Sequence, residues 1–256
     1  MMADATNSSS RSASAHSPTD AAKCGAKRGA LIVLEGLDRS GKSSQVARLV
    51  AHLESRELGP VKAMRFPDRS TTIGREIDAY LRETKEIEDR RIHELFAANR
   101  FEKKAEMEAL IGEGTTLVVD RYSFSGIAFS AAKGLDVQWC KSTEVGLPAP
   151  DIVIYLDIDP QHAAERGGYG GERYEKVEFQ QQVALHFHTL KDDTWVVVDA
   201  GRPLDDVASE VCKRVQTRQW KHSEEASGVA EGRGMKELGT WGERVQVLSC
   251  GADGCS

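Results

Sequence analysis

Five short apolar runs alternate with stretches of helical periodicity in this chain. The alternation predicts an α/β fold, a parallel sheet of about five strands with helices on both faces. Between the first run and the first helix lies Gly36-x-x-x-x-Gly41-Lys42-Ser43. That is P-loop spacing in the strand–loop–helix context the motif requires, so the fold is expected to be of the P-loop NTPase type. A third observation is the Gly- and Arg-rich segment at 166–175, which reads as a short mobile lid.

The first strand is expected at 30–35 and the first helix as far as residue 56, with Val46, Leu49, Val50 and Leu53 at i, i+3, i+4, i+7. Gly36 and Gly41 allow the sharp turns and close backbone approach that a polyphosphate needs. The loop's N–H groups then form an anion nest at the positive end of the helix. Lys42 supplies a cation for the outer phosphates, and the Ser43 hydroxyl is placed to ligate Mg²⁺. A chance Gly-rich turn is the competing reading, disfavoured by the flanking strand and helix.

Leu58-Gly59-Pro60 breaks the first helix, and a second strand follows at 61–65. It ends on Phe66-Pro67-Asp68-Arg69-Ser70, where Pro67 fixes an extended turn. Ligands of an open parallel sheet bind beyond the carboxyl ends of its strands, so Phe66 and Arg69 are candidates to meet a substrate. A solvated turn arginine is the alternative. A helix is expected at 73–81, and one long helical stretch at 86–111 with Ile92, Leu95, Phe96 and Asn99 at helical spacing. Phe96 and Arg100 share a face there. A phenyl ring beside a guanidinium could cover a flat base and bond its rim, the alternative being a core phenylalanine beside a snorkelling arginine.

Gly112 and Gly114 end that stretch, and a third strand at 115–119 closes on Asp120-Arg121-Tyr122. In a P-loop protein an acid directly after a strand commonly organises the Mg²⁺ shell, and Arg121 beside it could face phosphate. A helix then starts near Ser123, with Ser123 or Ser125 as its cap. Further helices are expected at 139–145, 160–166, 179–190 and 204–220, with strands at 151–156 and 195–199. In the lid, four glycines among charges and tyrosines could bring Arg166 and Arg173 to a phosphoryl group, the alternative being an inert surface loop. Residues 28–220 thus read as one domain.

Residues 1–27 are rich in Ser and Ala and read as a disordered leader. A transit peptide is the alternative, although Arg11 is the only arginine there. Residues 221–256 read as a weakly structured tail. The net charge of −6 over 256 residues gives no global basic field for nucleic acid, so none is expected as a partner. No apolar run reaches membrane-spanning length, and no membrane partner is expected. Cys24, Cys140, Cys212, Cys250 and Cys255 show neither metal-ligand nor disulfide spacing. They read as reduced thiols of a cytoplasmic or nuclear protein, mitochondrial import through the leader being the other location considered.

The segments 34–43, 65–70, 95–100 and 119–126, in this order and spacing, resemble eukaryotic-type thymidylate kinase (dTMP kinase), of the P-loop nucleoside monophosphate kinases. The likeness spans about residues 28–219. It implies transfer of the γ-phosphoryl group of ATP to dTMP, with Mg²⁺ as cofactor and a homodimer formed through packed helices. It implies an ATP site of Gly36, Leu37, Asp38, Arg39, Ser40, Gly41, Lys42, Ser43 and Ser44, joined by the lid's Arg166 and Arg173. Lys42, Arg39, Arg121 and Asp38 are the implied catalytic residues, Arg39 sitting near the transferring group, and Ser43 and Asp120 are the implied metal ligands. On the acceptor side Asp38 would bond the sugar hydroxyl, and Arg69 and Arg121 would hold the phosphate. Phe66 and Phe96 would line the thymine pocket, Phe96 stacking on the base, while Arg100 bonds a thymine carbonyl. Ser125 would lie at the base edge, Tyr174 would crowd the 2′ position, and Gly126 and Gln180, the latter just after the lid, would also bind the substrate. Glycines 168, 170 and 171 exceed what the family leads one to expect, and 235–241 only faintly echoes its C-terminal end. Two other readings stand beside this one. A deoxynucleoside kinase would need a carboxylate base for a neutral 5′-hydroxyl, and a non-catalytic nucleotide-binding module would need no acceptor-phosphate clamp.

Overall fold

The computed structural model describes residues 28 to 227, with side chains described through Thr217. Five strands form one sheet: β1 (Leu31–Gly36), β2 (Val61–Arg65), β3 (Thr116–Asp120), β4 (Ile152–Asp157) and β5 (Trp195–Asp199). Their order is β2-β3-β1-β4-β5, and every pairing is parallel. The unbroken apolar runs of β1 and β4 are buried on both faces, as the interior strands of a helix-covered sheet must be. On the edges, β2 and β5 are only partly buried. Strand β1 sits at the centre, between β3 and β4, so the loop leaving it opens at the switch point of the sheet.

The first helix, α1 (Lys42–Ser55), follows the loop and buries Val46, Leu49 and Leu53 against the sheet. Thr71 caps α2 (Thr72–Leu81) by accepting the Gly74 N–H at 2.9 Å. The expected single helix over 86–111 is two: α3 (Asp89–Phe101) and α4 (Lys104–Gly112). Glu88 caps α3 by accepting the Arg91 N–H at 3.0 Å, which sets its start. The break answers to two separate cores. On α3, Ile92 and Leu95 bury in a small cluster with Ile77, Tyr80, Leu81 and Tyr174. On α4, Met107 and Ile111 bury in the main core under the sheet.

Next come α5 (Ser123–Ala131), α6 (Val137–Ser142), α7 (Pro160–Ala164), α8 (Val177–Leu190) and α9 (Leu204–Ser227). Asp136 caps α6 by accepting the Trp139 N–H at 2.7 Å, so that helix begins and ends earlier than its periodicity suggests. The last helix outruns its expected end by seven residues, to Ser227, so the start of the supposed tail is helical. The leader at 1–27, the rest of the tail and the echo at 235–241 lie outside the described residues. Among the described residues no helix is long and apolar enough to cross a membrane.

His93 joins three helices. It lies fully buried on α3, its ring nitrogens 2.8 Å from Ser130 Oγ and 2.7 Å from Thr143 Oγ1. Burial, and then the nearby charge of Arg100, push the imidazole down to about 4 from its usual 6.5. Between those pH values the unfolded chain binds more protons than the folded one, so stability falls as pH drops through the window. The loss expected by the bottom of it is about 3 kcal/mol. Urea unfolding at pH 4.5 to 7 should show that slope, and His93→Gln should flatten it. An unchanged slope in the variant removes His93 as the cause.

Candidate active site

The phosphate loop turns on glycines. Gly36 has φ 147°, and a side chain there would meet the Leu156 carbonyl oxygen at 2.6 Å. Gly41, at φ 96°, is the residue from which α1 starts. Lys42 is curled onto its own loop, its Nζ donating to the Gly36 carbonyl at 3.1 Å, to Ser40 Oγ at 3.1 Å and to the Leu37 carbonyl. Burial, then the charge of Arg121, pull its ammonium down to about 7, against the opposing charges of Asp38, Asp120 and Glu35. Leu34 of β1 pairs with Asp120 of β3, and Ser43 Oγ donates to Asp120 Oδ2 at 2.6 Å.

Beyond the loop lies a cavity of about 450 Å³. It is lined by Asp38, Arg39, Gly41, Lys42, Ser43 and Ser44 from the loop side, and by Phe66, Arg69, Phe96, Arg100, Asp120, Arg121, Ser125, Gly126, Arg166 and Tyr174 elsewhere. The sequence thus brought most of its candidates to one place. Gly36, Leu37 and Ser40 build the loop from beneath, Leu37 and Ser40 being buried.

Arg121 follows β3 in the left-handed region, at φ 66°. Its guanidinium is bonded to Asp38, to the Gly36 carbonyl at 3.1 Å and to Ser125 Oγ at 2.9 Å, and lies over the Phe129 ring. Arg69 is shared between Asp78 at 2.6 Å and the lid's Glu172 at 2.7 Å. Arg39 donates to Glu175 at 2.8 Å and to the carbonyls of Gly167 and Gly168, tying the phosphate loop to the lid. Arg166 reaches the Arg39 carbonyl at 2.8 Å and the Ala200 carbonyl at 2.6 Å. Arg173 departs from expectation. Its backbone N–H is tied to the Leu81 carbonyl at the end of α2, and its guanidinium bonds Glu86 and the Tyr80 carbonyl, outside the cavity.

Arg100 overturns the snorkelling alternative: it is 2% exposed and paired with Glu144, Nε donating to Oε2 at 2.9 Å and Nη2 to Oε1. A Cβ at Gly126 would stand 2.5 Å from Arg100 Nη2, so a larger residue there would push on the Arg100–Glu144 pair. Phe66 precedes a cis Pro67 and packs its ring on Tyr122, with centroids 5.9 Å apart. Tyr174 stacks on Phe179 and bonds the Tyr80 hydroxyl at 3.2 Å. Gln180, expected at the substrate, instead braces Asp38: it accepts the Asp38 N–H at 3.0 Å and donates to Oδ2 at 2.7 Å without lining the cavity.

Neither serine caps α5. The cap comes from Glu35 at the end of β1, which accepts the N–H groups of Tyr122 at 2.9 Å and Ser125 at 3.0 Å and the Ser125 hydroxyl. Its signal was in plain view, one acid in an otherwise apolar strand. Asn99 was read only as part of a helical repeat. Its amide accepts the Asp68 N–H at 2.7 Å and donates to the Asp68 carbonyl at 3.2 Å, pinning the loop that carries Arg69 to α3. Glu144, Glu172 and Glu175 carried no local signal, since each matters only through an arginine distant in sequence.

A phosphate-cradling loop at the end of a central strand, facing a cavity walled by arginines and aromatic rings, defines a P-loop phosphotransferase with an anionic acceptor. The sequence model of the family described as "Thymidylate kinase" matches residues 34–211. The thymidylate kinase of Arabidopsis thaliana is 56% identical over 185 residues, covering 72% of this chain and 70% of that one. The human thymidylate kinase is 45% identical over 190 residues, covering 73% and 89%. A solved structure of the Candida albicans thymidylate kinase superposes with a TM-score of 0.69 at 36% identity, covering 75% of this chain and 93% of that one. The chain belongs to the thymidylate kinase family.

Proposed function

We propose that this cavity moves the γ-phosphoryl group of ATP to dTMP, giving ADP and dTDP. Family membership supports the reaction, and one feature of the site argues for an acceptor that is already a phosphate. Each of the four carboxylates lining the cavity is engaged: Asp38 with Arg121, Asp120 with Ser43, Glu172 with Arg69 and Glu175 with Arg39. None stands free to activate a neutral 5′-hydroxyl, as a deoxynucleoside kinase requires.

The loop N–H groups and Lys42 hold the ATP phosphates, and Arg39 and Arg166 flank the transferring group. Arg69 and Arg121 take the acceptor phosphate. Asp38 bonds the sugar hydroxyl and Tyr174 crowds the 2′ position. Phe66 and Phe96 enclose the base, Arg100 bonds its carbonyl, and Ser125 and Gly126 border its edge. Because the transition state spreads charge over equatorial oxygens, these residues act by position and charge.

Ser43 and Asp120 are hard oxygen donors side by side, which fits Mg²⁺, an ion that takes one or two protein ligands and completes its shell with phosphates and water. When bound, the ion neutralises charge on the β- and γ-phosphate oxygens. A cytoplasmic or nuclear location, with mitochondrial import through the leader as the alternative, rests on the cysteine spacing of the sequence. The homodimer is carried by the family assignment alone.

The test is ADP formation with Mg²⁺ and ATP and, side by side, dTMP, dUMP, UMP and thymidine. Strong turnover of dTMP, weaker turnover of dUMP and little of UMP or thymidine is expected. Thymidine turning over as well as dTMP would move the assignment to the nucleoside kinases.

A further inference from the structure

Deep behind the base end of the cavity sits a carboxylate that never reaches it. Glu144, in the turn after α6, is fully buried and takes no part in the cavity lining. Its carboxylate holds two of the three guanidinium nitrogens of Arg100, Nε at 2.9 Å and Nη2. The third, Nη1, has no hydrogen-bond partner among the described residues, and Arg100 lines the cavity. The backbone of α5 closes the arrangement from the side, because Gly126 leaves just the room that the paired groups fill.

A buried ion pair is by itself weak evidence of stabilisation, since desolvating two charges offsets their attraction. What the pair does settle is direction. An arginine held by two nitrogens cannot swing, so it offers its remaining donors at one place only. A guanidinium has no acceptor to offer in exchange.

We infer that Glu144 is a positioning residue for base selection: by fixing Arg100 it makes the pocket demand a carbonyl oxygen at that edge of the acceptor's pyrimidine. Thymine and uracil meet the demand. Cytosine places an amino group there, donor against donor, and leaves the remaining Arg100 donor without an acceptor. The inference rests on the reading above that Arg100 faces the base.

The experiment compares wild type, Glu144→Gln and Glu144→Asp, measuring kcat and KM for dTMP and the ratio of kcat/KM between dTMP and dCMP, with thermal melts alongside. In Glu144→Gln the KM for dTMP should rise roughly tenfold or more, kcat should stay within a few-fold, and the ratio should fall roughly tenfold. A role in holding α6 to α3 alone would lower the melting temperature and leave the ratio untouched. Glu144→Asp keeps the charge and, one methylene shorter, draws Arg100 back from the cavity, so KM and the ratio should move the same way. If the Gln variant does not fold, the Asp variant decides. A folded variant with wild-type KM and ratio overturns the role of Glu144. A wild type that turns over dCMP as well as dTMP instead overturns the base reading beneath it.

Discussion

Arg121→Ala is expected to lower kcat by roughly three orders of magnitude or more, the scale on which transition-state arginines act in phosphoryl transfer. The guanidinium stands where the two halves of the site meet, bonded to Asp38 and Gly36 of the phosphate loop and to Ser125 of α5. The fold should survive. The φ of 66° costs alanine about what it costs arginine, and Asp38 keeps its hydrogen bond from Gln180 when the guanidinium is gone. Arg121→Lys should recover only a small part of the loss, because a single ammonium nitrogen cannot present the two separated, coplanar donors with which the guanidinium reaches Asp38 on one side and Gly36 and Ser125 on the other. Steady-state kinetics with saturating ATP and dTMP, beside a melting curve, check both statements. A kcat within tenfold of wild type in the alanine variant would remove Arg121 from the reacting centre.

The readability of this chain followed the range of the interactions involved. Interior strands announced themselves because burial on both faces demands unbroken apolar runs, as in Leu31-Ile32-Val33-Leu34. The phosphate loop was legible because its chemistry lies in the backbone, and glycine is the residue the backbone asks for by name. Helix ends were less legible where the deciding bond came from one side chain, as with Glu88 and Asp136. The break between α3 and α4 was not local at all: a continuous periodicity divides between two cores whose other members come from distant stretches. In the site, the sequence pointed to the arginines and not to the groups that hold them. Arg100 carries its own signal beside Phe96, whereas Glu144 means nothing until α6 is folded against α3 and α5. Arg173 shows the reverse failure, since lid composition suggested a phosphate ligand and a backbone bond to Leu81 turned it away.

Glu35→Ala should be the most destabilising single change in the phosphate-binding half, by about 4 kcal/mol, because it strips the acceptor from two buried N–H groups and a hydroxyl at once. For a domain of this size that lowers Tm by roughly 10 °C. The residue is fully buried, and burial pushes its carboxyl up, so the ionised acid carries a desolvation cost that its hydrogen bonds oppose. Glutamine escapes that cost. Its carbonyl can accept both N–H groups, and the Ser125 hydroxyl can turn to accept from its amide. Glu35→Gln should therefore melt within a few degrees of wild type and keep most of its turnover. Glu35→Ala should also lose kcat below its melting range, because Tyr122 and Ser125 bracket the turn that aims Arg121. Thermal denaturation and kcat at 20 °C separate the cases. Equal Tm values for the two variants would mean that the buried donors find other partners, and that the end of β1 does not set the start of α5.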